Sequence, residues 1–135
     1  MTTTATDTRA LDAHLAEHLF GCTVRITQGF GELIYECERH DHWPSHPWNS
    51  GVGRWVIPDL STTGDGMLLV AEKLREHGWG VEFRREPTDL PWFARVVELR
   101  DSGTYTIAIE TGATLPLAVA RAAKAALKAE EAARA

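Results

Sequence analysis

Leucines at positions 11, 15 and 19 recur every four residues, and Ala16 joins their stripe. That spacing lines one face of a helix and predicts one over residues 7–20. Thr6 or Asp7 can cap its start, because a short side-chain oxygen accepts an orphan N–H there. Gly21 stands where a left-handed residue ends a helix. Between Cys22 and Cys37 the period shortens to two. Val24 and Ile26 alternate with polar neighbours, Gln28-Gly29-Phe30-Gly31 reads as a turn, and Leu33, Ile34 and Tyr35 resume an apolar run, which together predict a hairpin.

Residues 38–60 follow neither period. They hold Pro44, Pro47, Pro58, Gly51 and Gly53 together with Trp43, Trp48 and Trp55, and read as a long loop of functional character. A helix follows: Ser61 or Thr62 is the expected N-cap, Thr62 and Asp65 have capping-box spacing, and Gly78 stops it. Met67, Val70, Ala71 and Leu74 form its apolar face, with Leu69 on the polar side. A meander of three strands comes next. Trp79, Val81 and Phe83 alternate in the first. The second carries Phe93, Val97 and Leu99 against Ala94 and Val96, and so predicts a central strand covered on both faces. Tyr105, Ile107 and Ile109 alternate in the third. The connections are 87–91 and Asp101-Ser102-Gly103. The last helix starts at Thr114, with Pro116 in its first turn. Val119, Ala120, Ala123 and Leu127 face inward, and Arg121, Lys124 and Lys128 outward. Glu130 falls back on the apolar side, so packing is expected to stop near Lys128. The organisation expected is a disordered tail over 1–6, one α+β domain over 7–128 with an antiparallel sheet covered by helices in α-β-α layers, and a frayed end over 129–135.

A chain of 135 residues with 44% hydrophobic and 24% charged residues suits one soluble globular domain. Its net charge of −5 speaks against non-specific nucleic-acid binding and against anionic membranes, both of which need a basic surface. The start is Thr-rich and polar, unlike a signal peptide. Cys22 and Cys37 are therefore expected as reduced thiols in a cytosol.

The stretch Pro58-Asp59-Leu60-Ser61-Thr62, leading into Val70-Ala71-Glu72-Lys73-Leu74, resembles a signature of the phage ABA sandwich domain family. Thr114-Leu115-Pro116-Leu117-Ala118-Val119-Ala120 is similar to that family's Pro-Leu-Ala helix start, and Leu11 through Cys22 to its first helix. Leu60 stands where the family has Tyr, and Thr63-Gly64-Asp65-Gly66 replaces its usual helix opening. The resemblance covers about residues 10–128. It implies an α-β-α fold and a bacteriophage or prophage origin, and supplies no catalytic residues to carry over.

Several clusters carry chemistry. Cys37, His40, His42 and His46 are ligand types that zinc takes, with Cys22 adjacent if the hairpin closes. The alternative is a His- and Trp-rich surface loop around one small buried cysteine. Trp43, Trp48 and Trp55, with His42 and His46, form a candidate binding surface for a host or phage protein. They could equally fold back as a lid over the sheet. Ser61, Thr62 and Thr114 open helices whose free N–H groups could hold a small phosphate-bearing ligand such as a nucleotide signal. Ordinary capping is the competing reading. His14 and His18 lie four apart without the general-base Glu of a zincin, and Cys37 with His40 lacks an orienting third group, so no catalytic set is read. The expectation is a small, non-catalytic phage accessory protein that binds a macromolecule. A ligand-sequestering protein of the counter-defence type is the alternative, and a structural zinc protein comes third. A homodimer would use Leu69 and the two-sided central strand.

Overall fold

Leu11, Leu15, Ala16 and Leu19 are all buried along one side of α1 (Ala5–His18), so the leucine stripe is the face that docks. The computed structural model describes residues 5–29, 32–37, 55–85 and 91–134. After α1 come β1 (Val24–Gly29), β2 (Glu32–Cys37), β3 (Trp55–Val56), α2 (Gly64–Glu76), β4 (Trp79–Arg84), β5 (Trp92–Arg100), β6 (Gly103–Gly112) and α3 (Leu115–Arg134). The strands form two antiparallel three-stranded sheets, β1-β2-β3 and β4-β5-β6. The class is thus α+β, with helices packed on antiparallel sheet. In the second sheet α3 lies across β5 and β6, α2 packs on α3 and β4, and α1 packs on α3. Among the described residues, α1 is the helix that packs against β1 and β2. Among the described residues no helix is long and apolar enough to cross a membrane.

One core runs through these contacts. Leu15, Ile57, Leu60, Val70, Leu74, Val96 and Val119 are essentially inaccessible. Each such side chain contributes about 1.5–3 kcal/mol by leaving water. The seam between α3 and its neighbours is lined with Ala118, Ala120, Ala122, Ala123 and Ala126, all fully buried. Small side chains there let the helix approach closely. Core packing along α3 ends at Ala126 and Leu127, while the helix itself continues to Arg134 through the stretch expected to fray. Glu130 meets His77 Nε2 at 2.8 Å and Arg134 at 3.2 Å, so the residue that broke the apolar stripe is held by polar partners instead.

The second helix begins later than its sequence implied. Thr63 is the N-cap, and its hydroxyl accepts the Gly66 N–H at 3.0 Å. Gly78, at φ +93°, ends the turn after α2 in the left-handed region that favours glycine. The segment read as a loop over 38–60 is structured at its end. The two residues of β3 pair with Glu36 and Cys37, and Ile57 and Leu60 enter the core. A strand this short, followed by Pro58, leaves no alternation to read. Residues 1–4, 30–31, 38–54, 86–90 and 135 lie outside the described residues. Ala5 and Thr6, expected in a disordered tail over 1–6, belong to α1.

The cysteines are not reduced thiols. Cys22 and Cys37 form a disulfide, with Cα atoms 5.5 Å apart. The hairpin register, Val24 opposite Cys37, brings the chain just before β1 against the end of β2. That apposition is a product of pairing and cannot be seen in a count of two cysteines.

Candidate functional site

β5 is central, as its apolar run implied, but only one of its faces is covered along its length. Ala94 and Val96 are buried towards α3, whereas Phe93 is 38% exposed and Leu99 76%. A bulge between Val96 and Val97 shifts the pairing with β6: Val96 faces Ala108, but Val97 faces Thr106. A one-residue shift reverses the faces that follow it. Ile107 therefore packs against the core while Ile109, two residues on, is 57% exposed. The alternation that placed Tyr105, Ile107 and Ile109 together misses this, since a bulge leaves no mark in a period of two.

The outcome is a groove of about 400 Å³ at the sheet end, lined by Glu82, Phe83, Arg84, Phe93, Arg95 and Ile109 together with Ala94. Its polar wall is organised. Arg95 is paired with Glu82, its cross-strand neighbour, and donates to Thr106 Oγ1 at 3.3 Å. Phe83 meets Trp92 edge-on at 6.3 Å, and the Arg85 guanidinium lies 5.6 Å from the Trp92 ring centre. Aromatic and arginine side chains on a bare sheet face offer apolar area and directed donors together. They offer no nucleophile beside a base.

A second polar cluster is buried and structural. Arg9 reaches from α1 to Asp12 Oδ2 (2.9 Å), Asp59 Oδ1 (3.0 Å) and the Ile57 carbonyl (2.9 Å). Asp12, fully buried, accepts the Ser61 N–H at 2.8 Å. Burial pushes the Asp12 carboxyl above the usual aspartate range, against the pull of the Ser61 hydrogen bonds and the Arg9 charge. The cluster fastens residues 57–61 to α1.

That fastening decides the fate of the expected anion site. Ser61 is buried, its N–H is taken by Asp12, and its hydroxyl donates to the Thr8 carbonyl at 3.3 Å. Gly66 leaves room for a backbone, but for the chain's own: a Cβ there would lie 2.1 Å from the Asp59 carbonyl oxygen. Ser61 is thus closed to a ligand, and Thr62 is an exposed turn residue. Thr114, also exposed, caps α3, its Oγ1 accepting the Leu117 N–H at 3.4 Å.

The zinc set loses a member. Cys37 is bonded to Cys22 and has no thiolate to give. His40, His42 and His46 lie outside the described residues, as do Trp43 and Trp48. Trp55 is brought in backbone register with Cys37. Among the described residues no group of three or more His, Cys, Asp or Glu could hold a metal ion. His14 and His18 stack at 4.3 Å between ring centres. Burial pulls the His14 imidazole below its ordinary pKa, aided by His18, Lys124 and Lys128. Leu69, on the polar side and so either exposed or covered by another element, packs against the core; Leu68 is exposed, at 58%.

Sequence reasoning missed Phe93, Ile109 and Arg95 as a surface. The available signal was the mixture of arginine and large apolar residues on neighbouring strands. No protein-family model, curated protein or solved structure matches the chain.

Proposed function

We propose that this chain is a small non-catalytic binding protein, and that its outer β4–β6 face takes a partner protein. The observation that carries this reading is the bulge that turns Ile109 outwards beside exposed Phe93, within reach of Arg84 and Arg95. Large apolar side chains flanked by arginines make effective interface anchors, since they bury area and direct polar contacts. The partner segment that suits them presents an apolar side chain for the groove and a carboxylate for Arg84. The setting we propose is a phage-encoded accessory role, following the resemblance of the helix starts. The Cys22–Cys37 bond favours a working environment that is not strongly reducing, over the reducing cytosol expected from the cysteine count. The phosphate-ligand reading has lost Ser61 and is not pursued.

The test places a photo-crosslinking residue at position 109, with position 72 on the solvent side of α2 as the control. The partner trapped from cells is then purified and titrated. Ile109→Arg should weaken its binding at least tenfold, and Glu72→Arg should leave it unchanged. Equal affinities for the two variants would overturn the assignment. Trapping of a second copy, with a mass in solution that doubles reversibly with concentration, would identify the partner as the chain itself.

A further inference from the structure

The disulfide occupies a place where the fold is thinly held. Cys22 lies four residues past the end of α1, after Gly21 at φ +76°, and its N–H reaches back to the Ala16 carbonyl at 2.9 Å. Cys37 ends β2 between β1 and β3. The bond thus ties the open end of the β1–β2 hairpin to the exit of α1. Both cysteines are buried and join the main core cluster. Among the described residues, β1 and β2 pack on α1 and pair with each other and with β3, and no other helix and no strand of the second sheet packs to any extent against them. By contrast β4–β6, α2 and α3 pack extensively on one another. Residues 57–61 have a fastening of their own in Arg9 and Asp12.

We propose that the Cys22–Cys37 bond is a redox-sensitive fastening, and that reducing it frees the β1–β2 hairpin while the body built on α3 stays folded. The chemistry is a two-electron exchange with a dithiol. The S–S bond breaks, each cysteine sulfur takes a proton, and the reductant closes to its own disulfide. The inference is independent of the binding face on β4–β6. Its physical basis is that a unit with few contacts opens separately from a well-packed one. The bond closes a sequence separation of 15 residues. In the chain-entropy account, losing a loop of that size increases the open population on the order of 100-fold.

Hydrogen exchange followed by mass spectrometry tests this on the full chain, oxidised and in excess dithiothreitol. Amides of β1 and β2 should exchange roughly 100-fold faster after reduction. Those of β5 and α3 should change by less than about threefold, as expected for a separate opening unit. Acceleration of equal size in α3, or none in the hairpin, would overturn the proposal. So would recovery of two alkylatable thiols from protein denatured without reductant. A Cys37→Ala variant that keeps α3 protection but loses protection in the hairpin would support it without any added dithiol. If that variant fails to fold, reoxidation of the reduced wild type should restore hairpin protection, and failure to do so counts against the idea.

Discussion

Asp12 is the strongest test of how this fold is held together. Its carboxylate is fully buried, accepts the Ser61 N–H at 2.8 Å and pairs with Arg9 at 2.9 Å. Asp12→Ala leaves the buried Ser61 N–H without an acceptor, which costs about 1–3 kcal/mol. It also removes one of several partners of the Arg9 guanidinium, which is 23% exposed, a further loss of about 1 kcal/mol after solvent screening. Relief of carboxylate burial offsets part of this, leaving a net of about 2.5 kcal/mol. Asp12→Asn keeps an oxygen for Ser61 and gives up the charge, so about 1 kcal/mol is expected. Urea unfolding followed by Trp fluorescence reads the difference. With a slope of about 1.5 kcal/mol per molar, the Ala midpoint should fall by roughly 1.7 M and the Asn midpoint by roughly 0.7 M. Equal midpoints for the two variants would refute the claim that the Ser61 contact is what matters. The pH dependence has a definite sign. The native carboxyl holds its proton at pH values where the unfolded one, near 3.8, has lost it. Asp12 therefore contributes more stability at low pH, and this is lost as pH rises through the raised native value. The wild type should gain on Asp12→Asn as the pH falls towards 4.

Gly66→Ala should cost about 3 kcal/mol in thermal unfolding, because the new Cβ meets backbone that cannot yield, whereas Gly64→Ala, with open space around it, should be neutral or stabilising by up to about 1 kcal/mol. Similar melting temperatures for the two would be evidence against the close approach of α2 to Asp59. His14 has a native pKa below its ordinary 6.5, so the unfolded chain takes up the proton first and stability falls as pH drops below that value. His14→Gln should flatten this part of the stability–pH curve, and an unchanged slope would place the titration elsewhere.

Elements with a sustained period were legible. The leucine stripe of α1, the faces of α2 and α3, the stop at Gly78 and the order of the β4–β6 meander all follow from spacing, because a buried face must repeat with the geometry of its element. Ser61 was misplaced because its N–H is taken by Asp12, forty-nine residues away, and Leu60 because it enters the core from an irregular segment. Residues that pack by such distant contacts carry no local period. The candidate groove was hidden for a related reason. Ile109 joins Phe93 and Arg95 only through the strand register, and the bulge at Val96 and Val97 decides which way it faces. Pairing energy between strands selects that register, and no property of either strand alone contains it. The same holds for the two cysteines: their chemistry changed from thiols to a disulfide once hairpin pairing set Cys37 against the end of α1. The amino-acid order by itself determined the three helices with their buried faces, the β1–β2 hairpin and the order of the β4–β6 meander. Tertiary structure alone decided which polar groups are consumed internally and which side chains remain on the surface to meet a partner, because both depend on contacts between residues remote in the chain.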